Sequence, residues 1–282
     1  MKIAFIGLGN MGSLLAQLVL KQNQGENLIL LANRSPQKAE ELARTFGGQL
    51  ASNQEVFEQA DLIFLGLKPK QVLELLEEYQ TIISQRSSLV LVSMAAGISL
   101  RDIATLAGKQ HRYIRIMPNT PIAVGAGVIS YSLAQQVTEE DRLLLEDLLA
   151  PAGLLVKLEE KDLDAATALA GCGPAFVYTF LEALADAGVK LGLPRKLALD
   201  MANQTLLGAA QTAQASQLHP ALLRDQVTSP AGATIAGLAS LEKAAFRGSL
   251  IQALEASYQR SQELGQVSDR PASSSPLSKP EK

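Results

Sequence analysis

The sequence predicts an α/β protein, an N-terminal Rossmann-type dinucleotide-binding domain followed by an all-α C-terminal dimerisation domain. Three observations lead there. Short apolar runs alternate with helix-period stretches through the first half, as in a parallel sheet covered by crossover helices. A glycine cluster sits between the first run and the first stretch. Beyond residue 161 the strand-like runs stop, and Ala, Leu, Gly and Gln fill long helix-like segments. A chain of 282 residues is long enough for two domains with their own cores, expected at 1–160 and 161–265.

Taken in order, the apolar runs 3–6, 28–32, 62–67, 89–94 and 113–117 read as strands. The amphipathic stretches 11–23, 36–46, 69–79 and 100–107 read as helices, with Pro36 and Pro69 in the first turn, where a missing N–H is no loss. A strand at 127–131, a helix at 138–149 and a strand at 154–158 extend the same domain. In the second half, breaks fall at Gly171-Cys172-Gly173-Pro174, Gly192-Leu193-Pro194, His219-Pro220 and Ser229-Pro230. Within 174–191, Phe176, Phe180 and Leu184 share one face, while Ala183, Ala187 and Gly188 supply small residues elsewhere. A helix without a continuous polar face, in so small a domain, points to burial against a second copy and hence to a homodimer. A Leu/Ala-rich monomeric bundle is the alternative. Residues 266–282, with five Ser and three Pro and little that is apolar, are expected to form a disordered tail.

Composition excludes several function classes. Lys plus Arg number 25 against 28 Asp plus Glu, a formal charge of −3, and the 7 Phe and 5 Tyr come without a Trp, so no basic, ring-bearing face for nucleic acid is expected. The single Cys172 forbids an intrachain disulfide, and with only His111 and His219 beside it no Cys/His metal set can be assembled. The longest uncharged run, 116–138, is broken as a helix by Pro118, Asn119, Pro121, Gly125 and Gly127, so no membrane span is expected there. The first residues run straight into an apolar strand ahead of Gly7, without the pattern of a secretory leader, which predicts a cytoplasmic location.

The glycines of Gly7-Leu8-Gly9-Asn10-Met11-Gly12 have the G-x-G-x-x-G spacing, directly after a strand and directly before a helix. The first permits the tight turn, the second lets a pyrophosphate approach the backbone, and the third lets helix and strand pack closely. A site built for NAD would carry Asp or Glu at the end of the second strand. Here that end reads Asn33-Arg34-Ser35, a guanidinium fork with two small hydrogen-bonding side chains, which favours the 2′-phosphate of NADPH while leaving NADH usable. The carboxyl ends of the later strands, Leu67-Lys68-Pro69, Ala95-Ala96-Gly97 and Pro118-Asn119-Thr120-Pro121, are the other candidate cofactor contacts, Asn119 among them.

Residues 5–12, Lys68-Pro69, 92–97, Arg115-Ile116-Met117-Pro118-Asn119-Thr120-Pro121, 188–195 and 226–234 together resemble the pyrroline-5-carboxylate reductase family, from the first residue to about 264. The resemblance implies reduction of the small-molecule substrate Δ1-pyrroline-5-carboxylate to L-proline with NAD(P)H, by dimers with interlocked helical domains that often assemble further. It implies cofactor contacts at Gly7 to Gly12, Arg34, Asn53, Leu67 to Pro69 and Ala95 to Gly97. It places the substrate on Thr228, Ser229, Ala231, Gly232, Ala233 and Thr234. Thr234 is the residue expected to hydrogen-bond the ring nitrogen, and so the catalytic candidate. Ser229-Pro230 followed by 231–234 reads as a helix start whose free N–H groups and dipole suit a carboxylate. Taken without the resemblance, the same residues read first as an ordinary helix cap.

The sequence also departs from that family. The family's Ser-Gly-Ser-Gly-Pro-Ala-Tyr stands here as Ala170-Gly171-Cys172-Gly173-Pro174-Ala175-Phe176, losing two hydroxyls and a phenol. Cys172 reads as a buried structural thiol and not as a nucleophile. Pro-Gly-Gly becomes Pro230-Ala231-Gly232, a mild change if Ala231 is helical. Two other readings compete: a β-hydroxyacid-dehydrogenase-like oxidoreductase, which would want a lysine that 171–180 lacks, and a non-catalytic NADP-binding protein, which would not need residues 228–234.

Overall fold

A computed structural model describes residues 1–23 and 25–266. The expected tail lies, apart from Gln266 at the end of the last helix, outside the described residues. The chain divides into two compact units, Met1–Gly171 together with the end of the last helix from Tyr258, and Cys172–Ser257.

The first unit is built on eight strands: β1 (Lys2–Ile6), β2 (Leu28–Ala32), β3 (Gln49–Leu50), β4 (Leu62–Leu65), β5 (Val90–Ser93), β6 (Arg112–Pro118), β7 (Gly127–Leu133) and β8 (Gly153–Lys157). They lie in the order β3-β2-β1-β4-β5-β6-β7-β8, so the chain reverses its direction of growth between β1 and β4. Around them lie α1 (Asn10–Gln22), α2 (Pro36–Phe46), α3 (Asn53–Gln59), α4 (Pro69–Glu78), α5 (Gln80–Gln85), α6 (Leu100–Ala107), α7 (Glu139–Leu149) and the short α8 (Leu163–Ala166), which runs into a π turn at Thr167–Gly171. The period-2 alternation of each strand feeds two cores. Ile3, Phe5, Phe64, Val92 and Ile114 join α1 and α7 on one face, and Ala4, Ile6, Ile63, Leu91 and Tyr113 join α3 to α6 on the other. Phe5 and Phe64 are register partners on β1 and β4, and their rings stack at 4.7 Å.

The sheet departs from the wholly parallel one expected, because β7 runs antiparallel to β6. The reason is connection length. The link between them holds only a single 3₁₀ turn, Thr120–Val124, too short for the crossover of a dozen or more residues that a parallel return requires.

His111 is fully buried between β6 and α5, where its Nε2 meets the Ile83 carbonyl at 3.0 Å and its Nδ1 has no hydrogen-bond partner among the described residues. Burial holds its pKa below the ordinary imidazole value, with the nearby Arg86 and Arg112 acting the same way. The unfolded chain therefore takes up that proton more readily. The stability linked to neutral His111 is present above the unfolded value and is lost progressively as pH falls from there through the folded one. Thermal melts between about pH 7.5 and 5.5 are expected to show that loss, and His111→Gln, which keeps a donor for Ile83, is expected to flatten it.

The second unit contains α9 (Gly173–Lys190), α10 (Arg195–Ser216), α11 (Pro220–Gln226), α12 (Ala233–Lys243) and α13 from Phe246, which ends at Gln266 in the first unit. The breaks fall at the Gly and Pro positions expected, and one more falls at Ala245, a left-handed residue with φ of 53° between α12 and α13. Helices α9 and α10 approach closely: a Cβ on Gly188 would stand 2.9 Å from that of Ala198. Asp186 and Arg195 pair across the same turn, and Phe180 packs on Phe246 at 5.9 Å between ring centres. Within one copy of this unit, only Ala185, Ala198 and Ala202 are buried among the described residues. Val177, Tyr178, Leu197, Leu199 and Met201 are exposed, and Cys172, read as a buried thiol, is half-buried at the N-cap of α9.

Candidate active site

The turns that follow β1, β2 and β4 enclose a cleft of about 560 Å³, at the place where the strand order reverses. Ligands of open α/β sheets bind at such a switch point. Its walls include Gly7, Leu8, Gly9, Asn33, Arg34, Ser35, Asn53, Leu67 and Lys68, nine of the residues singled out from sequence. Asn10, Met11 and Gly12 form the first turn of α1 beside it, where amides lack partners within the helix.

The three fingerprint glycines are glycine for different reasons. Gly7 has a φ of +89°, and a Cβ there would lie 2.5 Å from Leu67 Cδ2. On Gly12 a Cβ would lie 2.0 Å from the Gly7 carbonyl oxygen, so helix and turn meet backbone to backbone. A Cβ on Gly9 would meet nothing closer than the Gly66 carbonyl oxygen at 4.0 Å among the described residues beyond its chain neighbours. The protein's own packing therefore accounts for the first and third glycines and leaves the second facing open space. Gly66, not singled out from sequence, completes the cradle: a Cβ there would stand 2.3 Å from Gly7 O and 3.0 Å from Gly12 Cα.

The side chains around the turn divide into braces and uncommitted groups. Asn33 Oδ1 accepts the Leu8 N–H at 2.9 Å while its Nδ2 donates to the Ser35 carbonyl at 2.8 Å, so this amide locks the two turns together. Ser13 Oγ donates to the Leu8 carbonyl at 2.9 Å. By contrast Arg34 is exposed with no ion pair among the described residues, and the Ser35 hydroxyl does not cap α2. Lys38, one helical turn beyond Arg34, also lines the cleft. Asn53 opens α3, whose Ser52–Glu55 capping box fixes it in place.

Pro69 opens α4 behind Lys68. Ala95, Ala96 and Gly97 form the turn after β5, with Ala95 buried and Gly97 at φ of +76°. Asn119 is buried, its Oδ1 accepting from Val128 N at 2.8 Å and its Nδ2 donating to the Ala170 carbonyl at 2.9 Å, so it ties the end of β6 to β7 and to the π turn.

In the second unit, Thr228, Ser229, Ala231, Gly232, Ala233 and Thr234 span the link from α11 to the first turn of α12. The expected helix start at Ser229-Pro230 is corrected here. Those residues form a turn closed by Gly232 N–H to the Ser229 carbonyl at 3.1 Å, and α12 begins at Ala233 with Gly232 as its N-cap. Gly232 brings no side chain to the first amides, and Thr234 is exposed in that turn with no hydrogen bond from its hydroxyl among the described residues. The Thr228 hydroxyl is already committed to the Arg224 carbonyl at 2.6 Å.

Ala231 is not helical either: its φ of 55° is left-handed. The exchange of Gly for Ala at this position is thus not mild. An L side chain there carries a penalty of roughly 1–2 kcal/mol. Ala231→Gly is expected to raise stability by about 1 kcal/mol, less the entropy that glycine restores to the unfolded chain. Urea titration checks this.

Residues 160–264 match the family profile described as pyrroline-5-carboxylate reductase dimerisation, and residues 2–97 match one described as NADP oxidoreductase coenzyme F420-dependent. The chain is 42% identical over 267 residues to a pyrroline-5-carboxylate reductase of Arabidopsis thaliana, covering 94% of this chain and 96% of that one. With the enzyme of Corynebacterium melassecola the identity is 37%, over 93% and 98%. Among solved structures, a pyrroline carboxylate reductase of Plasmodium falciparum with NADP bound superposes with a TM-score of 0.82 at 32% identity, covering 94% of this chain and 98% of that one. A pyrroline-5-carboxylate reductase of Coxiella burnetii gives 0.85 at 32% identity, covering 93% and 97%. With profile, relatives and solved structures in agreement across both units, the chain belongs to the pyrroline-5-carboxylate reductase family.

Proposed function

We propose that the cleft of the first unit holds NADPH and that the Thr228–Thr234 segment holds the substrate, in the reaction for which the family is named. That reaction follows from membership: the chain is an NAD(P)H-dependent oxidoreductase of proline biosynthesis that reduces Δ1-pyrroline-5-carboxylate to L-proline. The observation that carries the cofactor assignment is the fingerprint turn, where Gly9 alone has its Cβ direction open. Gly7 to Gly12 would cradle the pyrophosphate on the N-terminus of α1, and Arg34 with Ser35 would take the 2′-phosphate. Asn33 acts as the brace that holds those two turns in register. Asn53, Leu67 to Pro69 and Ala95 to Gly97 would line the rest of the cofactor's path. NADH, lacking that phosphate, would use the same cradle less tightly.

When bound, NADPH supplies a hydride. A cyclic imine protonated on nitrogen is already electrophilic, so the chain's residues mainly have to orient it. The Ala233 and Thr234 amides at the uncapped start of α12 suit the substrate carboxylate. The Thr234 hydroxyl suits the ring nitrogen, accepting its N–H.

On this reading residues 1–160 form the cofactor-binding domain and 161–265 the helical substrate and dimerisation domain. The chain works as a homo-oligomer, which the dimerisation profile and the exposed apolar side chains of α9 and α10 both support, with a homodimer as its unit. The stretch Glu160–Lys190 has the length and apolarity of a membrane span. We assign that apolarity to contact with a second copy. A cytoplasmic location accords with a family of soluble enzymes, and neither nucleic acid nor a membrane is a partner on this reading. The test is stoichiometric: loss of nicotinamide absorbance on adding pyrroline-5-carboxylate should match the proline formed, faster with NADPH than with NADH. Cofactor oxidation without proline would reject the proposal.

A further inference from the structure

We infer that Arg115 and Glu160 are positioning residues for the Ala95–Gly97 turn, and through it for the nicotinamide end of the cofactor. The inference rests on the reading above that this turn contacts the cofactor. Strand β6 sets Arg115 between its register partners Ser93 on β5 and Ser132 on β7, where it is only 7% exposed. Its Nη1 donates to Glu160 Oε1 at 2.7 Å, and the same oxygen accepts the Leu100 N–H at 2.7 Å. Leu100 is the first residue of α6, so its amide has no partner within the helix, and a carboxylate there also meets the positive end of the helix dipole. The Ser99–Asp102 capping box closes the same helix start.

The other end of the connection is held as well. Ser93 Oγ accepts the Ala95 N–H at 3.2 Å. The residues that carry Ala95–Gly97 are thus fixed at the β5 end by Ser93 and at the α6 end by Glu160, and the side chain that anchors Glu160 belongs to Ser93's neighbour across the sheet.

Packing alone does not call for an arginine at this position. A buried guanidinium is costly unless paired, and an apolar side chain of similar volume fills such a space at least as well. Here one nitrogen of Arg115, Nε, has no partner among the described residues. What the arginine adds is a fixed direction for Glu160, whose side chain is partly exposed at the start of a 3₁₀ turn. The consequence falls on α6 and on the turn leading into it.

The test compares NADPH with 2′-phospho-ADP-ribose, which keeps the adenosine, phosphate and pyrophosphate and lacks the nicotinamide. Binding of each is measured for Glu160→Gln and for the double variant Arg115→Met/Glu160→Gln, which removes the buried charge should the single variant fold poorly. Ala96→Leu serves as a direct probe of the turn. The expected result is that Glu160→Gln and Ala96→Leu both weaken NADPH by about three- to tenfold and lower kcat by about tenfold or more, as misplacement of a reacting partner does. The affinity for 2′-phospho-ADP-ribose should stay within about twofold. If Ala96→Leu discriminates between the two ligands while Glu160→Gln and the double variant weaken both alike, or neither, the pair is merely structural and the inference is overturned. If Ala96→Leu itself fails to discriminate, the turn does not meet the nicotinamide, and the cofactor reading fails at that turn together with the inference.

Discussion

Arg34→Asp is expected to weaken NADPH about ten- to a hundredfold while leaving NADH nearly untouched. The guanidinium is exposed at the cleft, with no ion pair among the described residues, so it is available to a ligand without breaking a bond. A charge-assisted hydrogen bond to a phosphate is worth about 1.5–3 kcal/mol, and each ~1.4 kcal/mol is tenfold in affinity. Reversing the charge adds repulsion to the loss of the bond, which puts the effect at the upper end for NADPH. For NADH the new carboxylate stands where Rossmann sites that prefer it carry one to hold the ribose hydroxyls. The ratio of Kd values, by quenching or nicotinamide fluorescence, is the reading that matters. An equal loss with both cofactors would place the defect in the cradle and remove Arg34 from the phosphate site.

Thr234→Ala is expected to lower kcat/KM for pyrroline-5-carboxylate by about ten- to a hundredfold, with NADPH affinity unchanged within about twofold. Thr234 occupies the first turn of an uncapped helix, exposed and with its hydroxyl uncommitted among the described residues, so removing it breaks none of their bonds. The whole effect should therefore appear with substrate and none in a thermal melt. Thr234→Ser, which keeps the hydroxyl, should recover most of the loss. An unaltered rate in the alanine variant would make Thr234 a structural helix-start residue. Thr228→Ala makes the contrast, because its hydroxyl already serves the Arg224 carbonyl and its loss should register in stability.

Most of the Rossmann unit was legible in the sequence because strands buried on both faces read as unbroken apolar runs, and the helices between them carry their own period. The elements that sequence reading missed are the short ones: β3 has two residues, and α3 and α5 have seven and six, too few to establish a period. The antiparallel return of β7 was missed because strand direction depends on the length of a connection and leaves no mark on the strand's own residues. At the site, local motifs were readable and long-range contacts were not. Gly66 looks like any glycine between two leucines until β4 lies beside β1, when its Cα faces the fingerprint turn. Asn33 and Asn119 read as polar groups offered to a ligand, whereas their amides bind Leu8, Ser35, Val128 and Ala170. Ala231 read as helical because alanine favours helices, and the turn closed by Ser229 and Gly232 overrides that preference.

The central claim is hydride transfer from a nicotinamide cofactor to the carbon of a cyclic imine, and the most direct measurement follows the hydrogen. NADPH carrying deuterium at the transferable position of the nicotinamide should yield proline with one deuterium, at C5 of the ring, and a mass and NMR analysis of the product reads this out. Proline formed without that label would contradict the account.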